Sequence, residues 1–198
     1  MTKPPGRGPL LTLLDFEEFM AKSKRTRTVS DSPRMFRTKN DLDAPTRREI
    51  VGLLNQRLAD CIDLQTQCKQ AHWNVKGANF IALHKLFDDV NEAVEGFVDL
   101  LAERVVQLGG VAEGTARIVA QRSQLIDYPL TLTTGEEHVA ALSDSIAAFG
   151  RTARIGIEEA DDLGDADTAD ILTEISREID KWLWFVEAHQ QGKPSSDE

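Results

Sequence analysis

At 198 residues the chain is long enough for one domain with a sizeable core, and its composition is that of a soluble globular protein with few aromatics and a net charge of −10. No stretch approaches the roughly 18 consecutive apolar residues of a membrane span, which excludes a transmembrane protein of the helical kind. Two cysteines, Cys61 and Cys68, fall on one helical face and read as reduced core residues rather than a bridge, with the cytoplasm as the default compartment.

Residues 1–40 differ in kind from the remainder. They hold nine Lys or Arg against four acids, so the other 158 residues carry −15. Four prolines, two glycines and little periodicity predict a flexible arm. The apolar piece Leu10 to Leu14 is interrupted at once by Asp15, Glu17 and Glu18, against a secretory signal. A basic arm on an acidic body points towards a polyanion, with Lys22, Lys24, Arg25, Arg27, Arg34 and Arg37 as candidate contacts to duplex DNA. No groove-reading motif is visible, so such binding would be independent of sequence. Each phosphate neutralised adds about 0.9 to the salt slope, and several arms on one particle add through avidity. A solubilising tail, or an arm folded against the body through its acidic patch Asp15 to Glu18, is the alternative.

The body, residues 41–190, reads as all-α. A first helix begins near Asp43 or Thr46, where Asp-Ala-Pro-Thr supplies cap and proline and Thr46-x-x-Glu49 has capping-box form. Ile50, Leu53, Leu54, Leu58, Cys61, Ile62 and Gln65 carry its core face towards His72. The break is Asn74 to Asn79, around Gly77. From Phe80 to Leu108 the apolar residues Leu83, Phe87, Val90, Val94, Val98, Leu101, Val105 and Leu108 recur at threes and fours, the stripe of a long helix that stops at Gly109-Gly110.

About two dozen residues then lead to Thr134, much longer than a bundle hairpin needs. They contain a short helix at Thr115 to Gln121 and a turn at Asp127-Tyr128-Pro129, and can cross the length of a bundle so that the next helix runs parallel to the previous one. Thr134-x-x-Glu137 caps a third long helix with Val139, Leu142, Ile146, Phe149, Ala153 and Ile157 inward, closed at Gly164. Asp165 caps a fourth, with Ile171, Ile175, Ile179, Trp182 and Val186 on its face; Gly164 is the only spacer, so the pair is antiparallel. Residues 191–198 read as a disordered tail.

The chemistry concentrates on the second helix. A second stripe there holds His84, Asp88, Glu92, Glu95, Asp99 and Glu103, with nothing basic on it. Like charges one turn apart cost roughly 0.2–0.5 kcal/mol per pair in water, a sign that a bound cation reverses. A solvated acidic face is the bland reading. His72 with Trp73 just before the helix weakens it, because carboxylates with imidazoles are the ligand set for divalent iron, manganese or zinc. Cys68 with His72 lacks two further local ligands for a zinc site.

His72 ends one helix and His84 begins the next, so a tight hairpin places both at one end. Asp99 lies 15 residues beyond His84, roughly 22 Å along the axis. One metal cannot touch both within one chain. If all four residues serve one site, a two-fold mate must supply half of it, twice per dimer. No histidine has a Glu three residues before it, which argues against the Glu-x-x-His site of intrachain di-iron bundles.

The order His72-Trp73, His84, then Asp99-x-x-x-Glu103-Arg104 and Leu108-Gly109-Gly110 resembles the ferroxidase signature of Dps proteins, the DNA-protection-during-starvation branch of the ferritin-like superfamily. Lys69-Gln70-Ala71-His72-Trp73-Asn74, Gly77 to Ala82, Asp167 to Leu172 and Trp184-Phe185 look similar to the same family, and the resemblance covers about residues 36 to 190.

The resemblance implies a ferritin-like four-helix bundle with one long crossover containing a short helix, assembled from two-fold dimers into a hollow dodecamer. It implies that His72 and His84 of one chain, with Asp99 and Glu103 of its mate, bind iron as Fe(II). Hydrogen peroxide, in preference to dioxygen, would oxidise it to Fe(III), stored as mineral in the shell. Asp88 is a candidate second-site ligand, Trp73 either takes up oxidising equivalents or packs, and zinc or another divalent metal can occupy the site. Asp165, Asp167 and Asp170 are the candidates for an acidic pore, with helix capping as the competing role, and association with the nucleoid would follow from DNA binding. His138 and His189 read as ordinary exposed or satisfied residues. The contrasting function is a non-enzymatic DNA-compacting or structural shell in which the acidic face is inert.

Overall fold

The computed structural model describes residues 34–191, so Lys22, Lys24, Arg25 and Arg27 of the arm, and the tail from residue 192, lie outside the described residues. Within them the chain forms α1 (Ala44–Asn74), α2 (Phe80–Gln107), the short α3 (Ala116–Arg122), α4 (Gly135–Asp162) and α5 (Ala166–Glu187). The only β feature among those residues is an isolated bridge between Lys76 and Thr134. No helix among them is long and apolar enough to cross a membrane.

The ends of the helices follow local chemistry. Asp43, not Thr46, caps α1, its carboxylate accepting from Thr46 N at 2.8 Å. Thr134 and Glu137 form a full capping box on α4, and Asp165 caps α5. Gly77, Gly109 and Gly164 take φ of 109°, 85° and 76°, the left-handed region that costs a side chain but not glycine. At Gly109 a Cβ would also stand 2.7 Å from the Phe36 carbonyl oxygen, and Phe36 N–H donates to Gly109 O at 2.6 Å. The chain is thus pinned to the end of α2 from residue 36.

α1 and α2 pack as an antiparallel hairpin, as do α4 and α5. The next closure is set by the crossover. Lys76 N–H donates to Thr133 O at 3.2 Å, and a Cβ on Gly135 would meet Leu83 at 2.5 Å, so α4 starts at the same end as α2. At the other end Arg104 of α2 reaches Asp165 of α5. α2 and α4 therefore run parallel, and the crossover spans the roughly 42 Å length of a 28-residue helix. This is the ferritin-like topology. Ile50, Leu54, Leu58, Leu64, Phe87, Leu101, Leu142, Ile146, Phe149, Leu172, Ile175 and Ile179 fill the interior.

A polar face of α1 holds the crossover in place. Asn55 bonds Val111 O and Glu113 N, Gln56 bonds Arg122 O, Asp60 accepts from Gln124 N at 2.8 Å, Asp63 accepts from Ser123 Oγ, and Gln67 bonds Ile126 O. A crossover otherwise left with unsatisfied backbone groups is thereby paired. Cys61 and Cys68 are free and fully buried; burial pushes the Cys68 thiol up to about 12, as suits an inert core residue.

Candidate metal centre

The α1–α2 turn brings His72 and His84 face to face. Their rings stack with centroids 3.7 Å apart and planes 22° from parallel. The contact is reciprocal: His72 Nδ1 lies 2.8 Å from His84 O, and His84 Nδ1 lies 2.9 Å from His72 O. A carbonyl oxygen only accepts, so each Nδ1 carries a hydrogen. In the neutral ring Nε2 is then the basic nitrogen. Fixing the tautomer through backbone carbonyls is how proteins prepare imidazoles for metals.

Asp88, one turn on from His84, is exposed and is held by Lys69 Nζ at 2.6 Å, with His72 Nδ1 at 3.9 Å. The hydrogen bond from Lys69, with smaller help from His72 and His84, lowers its pKa. Trp73 is 68% exposed, its ring 6.0 Å from Lys69 Nζ, and it lines a cavity with Lys69, Gln70, Asn91, Tyr128 and Leu130.

Asp99 and Glu103 are exposed on the outer face of α2, at the far end of the bundle from His72. The structure therefore stacks His72 on His84, with Asp88 3.9 Å from His72 Nδ1 and turned to Lys69, and keeps Asp99 and Glu103 apart from them. Among the described residues, no three of His, Cys, Asp or Glu converge on one point within a single chain.

Of the three aspartates considered for a pore, Asp167 and Asp170 are exposed and Asp165 is 3% exposed. Asp165 accepts from Arg104 Nη2 at 2.6 Å, from Thr168 N at 3.1 Å and from Thr168 Oγ1 at 2.6 Å. Oδ1 joins α5 to α2 through Arg104, and both oxygens hold the first turn of α5 through Thr168, so the outward two of the three are Asp167 and Asp170. Arg34 and Arg37 are exposed, Arg34 sitting 4.8 Å from the Phe36 ring centroid.

Two histidines outside the matched motif behave differently. His189 is exposed and caps back onto Phe185 O at 3.0 Å. His138, read as exposed or satisfied, is buried at the start of α4 with Nδ1 2.7 Å from Tyr128 Oη. Only the path of the crossover over α4 creates this pair, and its one trace in the sequence is a tyrosine ten residues before a histidine.

The family model of the ferritin-like domain matches residues 51–192. The DNA protection during starvation protein of Agrobacterium fabrum (strain C58) is 43% identical over 157 residues, which cover 79% of this chain and 97% of that protein. Its namesake from Mycolicibacterium smegmatis is 35% identical over 141 residues, 71% of this chain and 76% of that one. Among solved structures, DpsA14 from Streptomyces coelicolor superposes with a TM-score of 0.76 at 31% identity, covering 80% of this chain and 94% of its own. The tetragonal form of Mycobacterium smegmatis Dps gives 0.75 at 33% identity, with 79% and 94% covered.

Proposed function

Since the chain belongs to the Dps family of the ferritin-like superfamily, whose membership supports iron storage and DNA protection in general, we propose that it is a ferroxidase with sites shared between two-fold mates. The observation that carries this reading is the reciprocal lock of His72 and His84, which leaves two basic Nε2 atoms at the turn between α1 and α2. Asp99 and Glu103, roughly 22 Å along α2 by helical rise, complete the set only when supplied by an antiparallel second copy.

In this reading iron is the substrate. His72 and His84 bind and orient Fe(II), for which imidazole is well suited, and the carboxylates of Asp99 and Glu103 favour the more highly charged Fe(III) product. Asp88 becomes available to a second cation when Lys69 moves off it. Two Fe(II) give one electron each to one hydrogen peroxide, which takes up two protons and leaves as two waters, so both ingredients of hydroxyl-radical chemistry are consumed. The mineral is held in a shell of about twelve copies built from two-fold dimers. Asp167 and Asp170 are proposed to draw cations inward at a pore, while Asp165 braces the turn that carries them. The compartment is proposed to be the cytoplasm, with nucleoid association through an arm of nine basic residues on an acidic body.

Mixed assemblies test the shared site. His72→Ala and Asp99→Ala each abolish peroxide-driven Fe(II) oxidation. Unfolding and co-refolding the two in equal amounts regenerates intact sites in mixed pairs, and activity returns to about a quarter of the parent's. No recovery in correctly sized particles would sink the shared site. For the arm, equal retention of duplex DNA at low salt by the full chain and by a chain lacking residues 1–40 removes the DNA proposal while leaving the iron chemistry standing.

A further inference from the structure

Lys69 on α1 and Asp88 on α2 hold one another, Nζ lying 2.6 Å from the carboxylate. Their side chains are 29% and 51% exposed, and an ion pair so open to solvent is weak enough to be exchanged. A cation arriving at Asp88 must displace the ammonium, and the two like charges repel as long as Lys69 stays close by. The flexible four-carbon stem of Lys69 lets its charge swing to another partner, and the surroundings decide which.

One partner stands ready. Asn91 follows Asp88 by three residues, so the two side chains are neighbours on one face of α2. Its Oδ1 is shut off from solvent and has no hydrogen-bond partner among the described residues. An enclosed acceptor left empty is rare and calls for a reason. Asn91, Lys69 and Trp73 line one cavity of about 560 Å³. The Trp73 ring centroid lies 6.0 Å from Lys69 Nζ, at the outer limit of a cation–π contact, so a small swing of the ammonium brings it onto the ring. Asp63, the carboxylate on the same cavity, is taken by Ser123 Oγ and Gln67 Nε2 and does not compete. An amide oxygen suits the task. It accepts from an ammonium, yet without a charge of its own it does not hold Lys69 permanently, as a carboxylate in that place would.

We propose that Asn91 is a second seat for Lys69, and that the two seats make Asp88 a two-position cation switch. In the closed position Lys69 neutralises Asp88. In the open position its ammonium donates to Asn91 Oδ1 beside the Trp73 ring, and Asp88 is free to meet the cation. Asn91 is a positioning residue, acting on the cation only through Lys69. The switch rests on the shared-site reading for its cation.

Zinc, which binds without redox chemistry, is titrated calorimetrically into the assembled metal-free protein while tryptophan emission is followed. The parent takes up zinc in two steps, and emission moves with the second as the ammonium reaches Trp73; Trp73→Phe loses that change. Asn91→Leu keeps the first step and weakens the second about tenfold, as for one lost hydrogen bond to a charged group, and Asn91→Gln, which keeps an amide oxygen, recovers part of the loss. In Lys69→Gln the second step is tighter and silent in emission, and adding Asn91→Leu changes nothing further. A single step in the parent, an unchanged second step in Asn91→Leu, or equal weakening with and without Lys69 overturns the switch. If no zinc binds, the shared-site reading fails separately, and the movement is tested without metal: Asp88→Ala releases Lys69, and the resulting change in Trp73 emission disappears when Asn91→Leu is added. A change indifferent to Asn91 rejects the second seat. Should Asn91→Leu fail to assemble, Asn91→Ala, which only shortens the side chain, takes its place in every comparison.

Discussion

Replacing Asp165 with alanine strips a buried guanidinium of its closest counter-charge. Arg104 and Asp165 are 7% and 3% exposed at their side chains and meet at 2.6 Å, with Arg104 Nε also donating to Thr168 Oγ1 at 3.0 Å. After truncation the nearest remaining carboxylate is Asp167, 3.7 Å from Arg104 Nη1 but 82% exposed and well screened. Breaking one side of a buried ion pair costs about 3–5 kcal/mol, and losing the cap of α5 overlaps with that cost rather than adding in full. For a chain of this size each kcal/mol moves Tm by about 2–4 °C, so Asp165→Ala should melt about 6–20 °C lower. The assay is thermal unfolding by circular dichroism at fixed protein concentration, because assembly makes Tm depend on concentration. Arg104→Met alone should also destabilise, and the double variant should lose less than the sum by about 0.5–3 kcal/mol. A loss under about 1 kcal/mol for Asp165→Ala, or strict additivity of the pair, would refute the idea that this contact fastens α5 to α2.

Glu137 accepts from Thr133 N, Thr134 N and Thr134 Oγ1, and chiefly the Thr134 backbone bond holds its carboxyl down to about 2, against an ordinary 4.5. Its folded-state pKa is depressed, so its stabilisation is complete above pH 4.5 and is lost as pH falls towards 2. The Glu137→Gln variant should therefore melt below the parent at neutral pH, the gap closing across that window; a gap that persists at pH 2 would mean that the carboxylate charge is not what caps α4. In Lys69→Gln, the Asp88 carboxyl should rise towards its ordinary range, as followed by carbon-detected NMR, and the number of Fe(II) bound anaerobically per chain should increase. A raised carboxyl with unchanged iron uptake removes Asp88 from the ligand set.

Much of the bundle was legible without coordinates because its cues are local. The apolar residues of α2 recur at threes and fours, Thr134 and Glu137 are three apart, and Gly164-Asp165 ends one helix and caps the next, so near-neighbour sterics and hydrogen bonding suffice to place them. The separation of Asp99 from His84 likewise follows from helical rise alone. The stripe missed Phe97, which is 6% exposed while its neighbour Val98 is only partly buried, because a ridge one residue wide cannot show which of two adjacent apolar residues the partner helix meets.

The polar face Asn55, Gln56, Asp60, Asp63 and Gln67 went unread in the sequence, because its partners lie 56 to 66 residues away on a crossover without a period of its own. The same holds for Asp165, which read equally well as pore or cap until Arg104, 61 residues earlier, was seen to claim it. What the amino-acid order determined by itself was the helices, their caps and the residue types able to bind iron. Tertiary structure alone decided which nitrogen of His72 and His84 is the basic one, that Tyr128 would find His138, and which carboxylates remain outward, because each depends on a contact between segments that only the closed bundle brings within hydrogen-bond distance.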